Sequence, residues 1–115
     1  MGIEEDDIDP TAFLEDVEMR VGEVTAAEPF PEARKDVYQL EVDFGEETLG
    51  SAAGLTDNYD PEELVGRQVL CAMDIGSVRI AGFKSGALTV GVPGNDGNPV
   101  LVTPDEEVPL GGVLY

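Results

Sequence analysis

Tyr38-Gln39-Leu40-Glu41-Val42-Asp43-Phe44 alternates without a break: Tyr38, Leu40, Val42 and Phe44 fall on one side, and Gln39, Glu41 and Asp43 on the other. Successive side chains of an extended chain point to opposite faces, so this is a strand with one dry and one wet side, as antiparallel sheets have. Downstream, Gly45-Glu46-Glu47 reads as a hairpin turn into a second strand, Thr48–Ala53. The small residues Gly50-Ser51-Ala52-Ala53-Gly54 suit a strongly bent strand or a close approach by another backbone. Asp60-Pro61-Glu62-Glu63-Leu64-Val65-Gly66 predicts one or two helical turns, with Asp60 as cap, Pro61 at the first position, Glu63 closing a capping box and Gly66 as the stop. A strand over Val69–Ile75 follows, with Val69, Cys71, Met73 and Ile75 on one face. Ala87–Val92 and Val100–Val102 supply the last two strands, joined by a turn at Gly94-Asn95-Asp96-Gly97. Between them, Val78–Gly86 is not strand-like in pattern.

Upstream of the deciding stretch, Pro29-Phe30-Pro31-Glu32-Ala33-Arg34-Lys35 is a loop, and Arg20-Val21-Gly22-Glu23-Val24 is the entry to a first strand. Asp9-Pro10 opens a short helix whose apolar side is Phe13, Leu14 and Val17. Gly2–Asp9, with five acids, reads as a solvated tail. Five or six short strands, one helix between the third and fourth, and glycine at the bends predict a small closed all-β barrel with N-terminal and C-terminal extensions; the OB type fits best, and pattern alone leaves other small barrels open. The expected organisation is an acidic tail over residues 1–12 and one domain over 13–115.

Against 25 Asp+Glu stand 6 Lys+Arg in 115 residues, a formal net charge of -19. Self-repulsion on so small a body is removed at molar salt, where the Debye length is roughly 3 Å, so the composition predicts a salt-accumulating cytoplasm. An acidic protein with basic partners is the rival reading. No run approaches the roughly 18 apolar residues of a membrane span, and no leader opens the chain. With no histidine and one cysteine, Cys71, the chain lacks histidine-based nucleophilic triads, a Cys/His zinc site and an internal disulfide. Gly91-Val92-Pro93-Gly94-Asn95-Asp96-Gly97 lacks the Lys and Ser/Thr of a phosphate-binding loop. No enzyme, cofactor or metal is expected.

The charge is uneven: residues 1–63 carry net -17, whereas residues 64–104 hold 2 acids and 3 bases. A spared stretch in such a chain is either central core or kept clear for a partner.

Arg20-Val21-Gly22, Pro31-Glu32-Ala33-Arg34-Lys35, Val42-Asp43-Phe44-Gly45, Leu64-Val65-Gly66-Arg67-Gln68-Val69 and Arg79-Ile80-Ala81-Gly82-Phe83-Lys84-Ser85 stand in the order of the tRNA-binding OB domain. That domain occurs beside methionyl-tRNA synthetases and in free-standing dimers. Phe30–Lys35, Ile80–Ser85 and Val92-Pro93 are most similar to its CsaA branch of export-related chaperones. The resemblance implies a five-stranded OB-fold barrel and a homodimer that binds unfolded or precursor polypeptides without catalysis, with tRNA as the alternative partner. Asp74 and Ser85-Gly86-Ala87-Leu88 depart from the RNA-binding form of the motif, since a carboxylate only accepts hydrogen bonds and repels phosphate.

The candidate binding residues on the barrel face are Ser51, Asp74, Arg79, Phe83, Lys84 and Ser85. For RNA, Arg79 and Lys84 would meet phosphates, Ser51 and Ser85 would hydrogen-bond, and Phe83 would stack a base. For peptide, Phe83, Met73 and Leu88 would offer apolar contact, and the backbone around Ser51–Ala53 would pair with an extended segment. Phe83 as core and Arg79 and Lys84 on a solvated hairpin are the plainer readings; Arg34-Lys35 is either a loop contact to the partner or, by the plainer reading, an ion pair with Asp36 or Glu32. The apolar end, Val108–Tyr115, serves either a dimer interface or barrel covering.

Overall fold

The alternating segment is a strand, and its neighbours close a barrel around it. The computed structural model describes residues 7–115. Helix α1 (Pro10–Asp16) leads into strands β1 (Met19–Pro29), β2 (Tyr38–Asp43) and β3 (Thr48–Ala53). Helix α2 (Pro61–Leu64) precedes β4 (Gln68–Ala72). Short strands follow: β5 (Val78–Ile80), β6 (Phe83–Ser85), β7 (Leu88–Thr89), β8 (Gly91–Pro93) and β9 (Pro99–Leu101). Five strands form one antiparallel sheet in the order β3-β2-β1-β4-β7, with two-stranded ribbons β5-β6 and β8-β9 attached. The sheet curls until its two edges meet, giving the expected five-stranded OB-type barrel with its short helix between β3 and β4.

The edges are joined mainly by side chains and loop backbone. Gly86 and Ala87 donate N–H bonds to the Gly50 carbonyl at 2.9 and 3.3 Å, and the Ser51 and Thr89 hydroxyls meet at 2.8 Å. Strand β1 reaches both halves of the barrel because a bulge at Thr25, between the pairs Val24↔Val42 and Ala26↔Glu41, bends it. Gly22 permits the tight interior: a Cβ there would lie 2.5 Å from Val42 Cγ1 and 2.8 Å from the Phe44 ring.

Val24, Leu40, Val42, Leu64, Val69 and Cys71 are fully buried, with Phe44, Leu55, Met73 and Leu101 packed around them. Leu64 arrives on α2, where the Glu63 carboxylate accepts the Asp60 N–H at 2.9 Å and Gly66 leaves the helix with φ +89°. The Tyr38 hydroxyl donates to the Tyr59 carbonyl (2.7 Å), and the Tyr59 hydroxyl accepts from Leu101 N (3.0 Å), tying β2 and β9 to the same loop.

The C-terminal segment lies along β1 as a strap. Gly111 N donates to Val21 O (2.8 Å), Val21 N to Gly112 O (3.0 Å) and Leu114 N to Met19 O (2.9 Å). Gln68 grips Val108 through two hydrogen bonds, and Arg20 donates to the Gly111 carbonyl at 2.8 Å while paired with Glu18.

Several expectations are corrected. The fourth strand ends at Ala72, because Asp74 adopts φ +52° and turns the chain; Ile75 is consequently 53% exposed and outside the core. Val78–Gly86 contains an antiparallel hairpin, β5-β6, turned through Ala81 (φ +46°) and Gly82 (φ +85°) as two-residue hairpin loops require. The strand expected over Ala87–Val92 breaks at Val90, so that β7 pairs with β4 and β8 with β9. Asp9 caps α1 by accepting Thr11 N at 2.8 Å, but Phe13 stays exposed and no residue of the helix is buried. Helix α1 runs through residue 12, and residues 1–6 of the acidic head lie outside the described residues. Among the described residues, no helix is long and apolar enough to cross a membrane.

Candidate functional site: a basic-rimmed cleft beside the hairpin

Strand β3 alternates Ser51 inward, Ala52 outward and Ala53 inward, so Ala52 floors whatever lies outside the barrel at this edge. Two elements flank it. The first is the loop after β1, anchored where Phe30 buries itself and Ala33 N donates to Phe30 O at 3.1 Å. The second is the hairpin β5-β6. Phe83 meets the Phe30 ring edge-on, with centroids 5.7 Å apart and planes at 79°, so the two elements brace one another. Gly50 makes this approach possible, since a Cβ there would lie 2.5 Å from Lys84 O and 2.8 Å from Phe83 Cζ.

Between them lies an open cleft of about 530 Å³. Its floor is Ala33, Val37, Ala52, Ile80 and Ala81; its rim carries Arg34, Lys35 and Arg79, with Glu32 the one acid lining it. Lys84 stands directly across the hairpin from Arg79. Four of the chain's six cations therefore gather on this side. The other two are engaged elsewhere: Arg20 with Glu18 and the strap, and Arg67 over the Tyr59 ring at 5.3 Å. Among the described residues the sole ion pair is Arg20–Glu18, so the expected pairing of Arg34-Lys35 with Asp36 or Glu32 does not form.

The six candidate residues separate. Arg79 and Lys84 are exposed at the cleft side of the molecule, and Arg79 makes only a long 3.4 Å bond to Gly82 O in its own turn. Phe83 is half-buried and packed on Phe30. The Ser85 hydroxyl accepts Ala52 N at 3.0 Å, fastening the hairpin to β3. Ser51 is fully buried against Thr89. The outer edge of β3 is thus already bonded at Gly50 and Ala52 by residues of this chain. Met73 is buried, whereas Leu88 is exposed.

Asp74 belongs to a second cavity of about 430 Å³, where Glu18, Arg20, Glu46, Glu47 and the strap residue Leu110 also line the wall. A hydrogen bond to Glu18 and the charge of that neighbour hold the Asp74 carboxyl above the ordinary range. Glu18, bonded by Asp74 and by Arg20, is held below it. Four carboxylates against one guanidinium leave this wall net acidic.

The apolar floor was not readable as a site. Arg34-Lys35 was the available signal, being the chain's only adjacent bases and set in its acidic half. Nothing in the described residues groups three or more possible metal ligands. The cleft offers apolar contact at its base and cation hydrogen bonding at its edge.

The family model described as "Putative tRNA binding domain" matches residues 19–112. Among solved structures, the CsaA chaperone of Bacillus anthracis superposes with a TM-score of 0.84 at 37% identity, covering 94% of this chain and 99% of that one. A methionyl-tRNA-synthetase-related protein of Pyrococcus horikoshii gives 0.81 at 28% identity, covering 95% and 99%. The methionine–tRNA ligase of Methanocaldococcus jannaschii is 32% identical over 100 residues, 87% of this chain but 15% of that enzyme.

Proposed function

Because the chain belongs to the tRNA-binding domain family, we propose that it works as a non-catalytic chaperone of the CsaA kind, holding unfolded or export-bound polypeptide in the cleft beside β5-β6. The observation that carries this reading is the open apolar floor of Ala33, Val37, Ala52 and Ile80 beside the braced hairpin. Apolar contact survives salt that screens long-range attraction. The likeness to the Bacillus anthracis chaperone, at 37% identity against 28% for the synthetase-related protein covered to the same extent, supports it. Its proposed setting is a salt-rich cytoplasm, in which self-repulsion from the charge of -19 is screened. A homodimer is part of the proposal: Phe13, Val113 and Tyr115 are exposed, and an apolar hollow of about 330 Å³ opens between the strap and Leu70.

Binding of tRNA through the same side is the second reading, favoured by the four gathered cations. Each neutralised phosphate contributes a salt slope of about -0.7 to -0.9, so at molar salt these cations add little affinity. Suppression of aggregation of an unfolded client in molar potassium chloride, run beside filter binding of tRNA and a solution mass, tests the proposal. Protection by a dimer is expected. Saturable tRNA binding without protection would reverse the order.

A further inference from the structure

We infer that the cleft selects extended segments that alternate aliphatic and acidic residues, setting aliphatic side chains on the Ala33–Val37–Ala52–Ile80 floor and carboxylates on the Arg34, Lys35 and Arg79 rim. The inference rests on the polypeptide-binding reading above and names its substrate class. Charge complementarity carries it. In a chain of net charge -19, this cleft has three cations to one carboxylate, and those cations make no ion pair among the described residues. A guanidinium left unpaired keeps its planar fork of donors for a carboxylate. In an extended peptide, alternate residues point to opposite sides about 3.3 Å apart along the chain, so one segment can present aliphatic groups downward while its acids reach the rim. Salt weakens such an exposed pairing as it weakens phosphate contacts, so the aliphatic floor supplies the affinity in molar salt and the rim supplies the preference for acids over bases.

The cleft fits a nucleic-acid strand less well. Its floor carries no side-chain hydrogen-bonding group, and the nearest aromatics are committed to one another, Phe30 buried and Phe83 against its edge. Base stacking and base-edge reading both need groups this floor lacks.

Fluorescence anisotropy decides it, with three labelled probes of equal length titrated in about 0.5 M and about 2 M potassium chloride: a Leu/Glu-alternating peptide, a Leu/Lys-alternating peptide and oligouridylate. The Leu/Glu peptide is expected to bind tightest at both concentrations. Arg34→Gln with Arg79→Gln should weaken it about tenfold, and Ile80→Ser should weaken it as well. Arg67→Gln, which removes one charge away from the cleft, should leave it unchanged. Thermal melts of every variant check folding. Equal or tighter binding of the Leu/Lys peptide, or equal losses in Arg67→Gln and the cleft variants, overturns the inference while leaving client protection standing. Binding of oligouridylate alone overturns both the inference and the reading beneath it.

Discussion

The Ser51 hydroxyl sits 2.8 Å from the Thr89 hydroxyl, across the line where the first and last edges of the sheet meet. Thr89 also lies 3.7 Å from Cys71 Sγ. A buried polar pair costs stability when one partner is removed and much less when both are. Ser51→Ala is therefore expected to destabilise by about 1–2 kcal/mol, and Ser51→Ala with Thr89→Val by less than the sum of the single changes. Urea unfolding of the four proteins in the cycle measures this.

Gly50→Ala should lower stability by about 1–3 kcal/mol and loosen the hairpin, because the added methyl would overlap the Lys84 carbonyl and the Phe83 ring. Trypsin offers a local readout: cleavage after Arg79 and Lys84 should accelerate well before the barrel unfolds. Unchanged cleavage would mean that the hairpin does not depend on this contact.

Burial pushes the Cys71 thiol up to about 11, partly opposed by its hydrogen bond with Thr89. The folded state holds this proton where the unfolded chain, with an ordinary thiol near 9, releases it. Stability from Cys71 is thus complete below about pH 9 and lost as pH rises toward 11, by on the order of 2 kcal/mol. Burial and the nearby carboxylates raise the Tyr38 phenol too, adding to the same alkaline decline. Chemical denaturation between pH 8 and about 11 should show a shallower slope for Cys71→Ala, and native Cys71 should resist alkylation at pH 8.

Asp74→Asn is expected to raise the unfolding temperature at neutral pH in dilute buffer. It removes a carboxylate facing Glu18, and asparagine tolerates the φ of +52° at this position. Potassium chloride should raise the melting temperature of the unmodified protein, and the advantage of Asp74→Asn should shrink as salt screens the pair. An advantage that persists undiminished in molar salt would assign it to backbone conformation alone.

The parts of this fold that could be read in the sequence are those specified locally. Tyr38–Phe44 alternates because one side packs the core; Thr48–Ala53 takes the expected bounds; Asp60-Pro61 and Gly66 delimit a helix through capping chemistry within a few residues. The hairpin entered only as the plainer reading of Arg79 and Lys84, because its strands are three residues long and its turn begins at Ala81, a residue that rarely enters a positive φ. Ile75 continued an apolar alternation that Asp74 interrupts by conformation and not by polarity.

The candidate site was legible by charge and illegible by shape. Arg79 and Lys84 stood out in a chain short of cations, and both are exposed. Ser51 and Ser85 were plausible contacts by chemistry, yet one is sealed inside and the other fastens two elements. The floor draws on Ala33, Val37, Ala52 and Ile80, which are unremarkable singly and become a surface only when the barrel closes.

A barrel joined at one line by a handful of bonds opens there. Outward from β3 the amide of Ala52 leans on a serine hydroxyl, and the amides of Gly86 and Ala87 share one carbonyl, whereas β1 is laced to strands on both sides. Deuterium should enter at these three amides early and along β1 last. The same unrolling would part the hairpin from the sheet edge and widen the cleft.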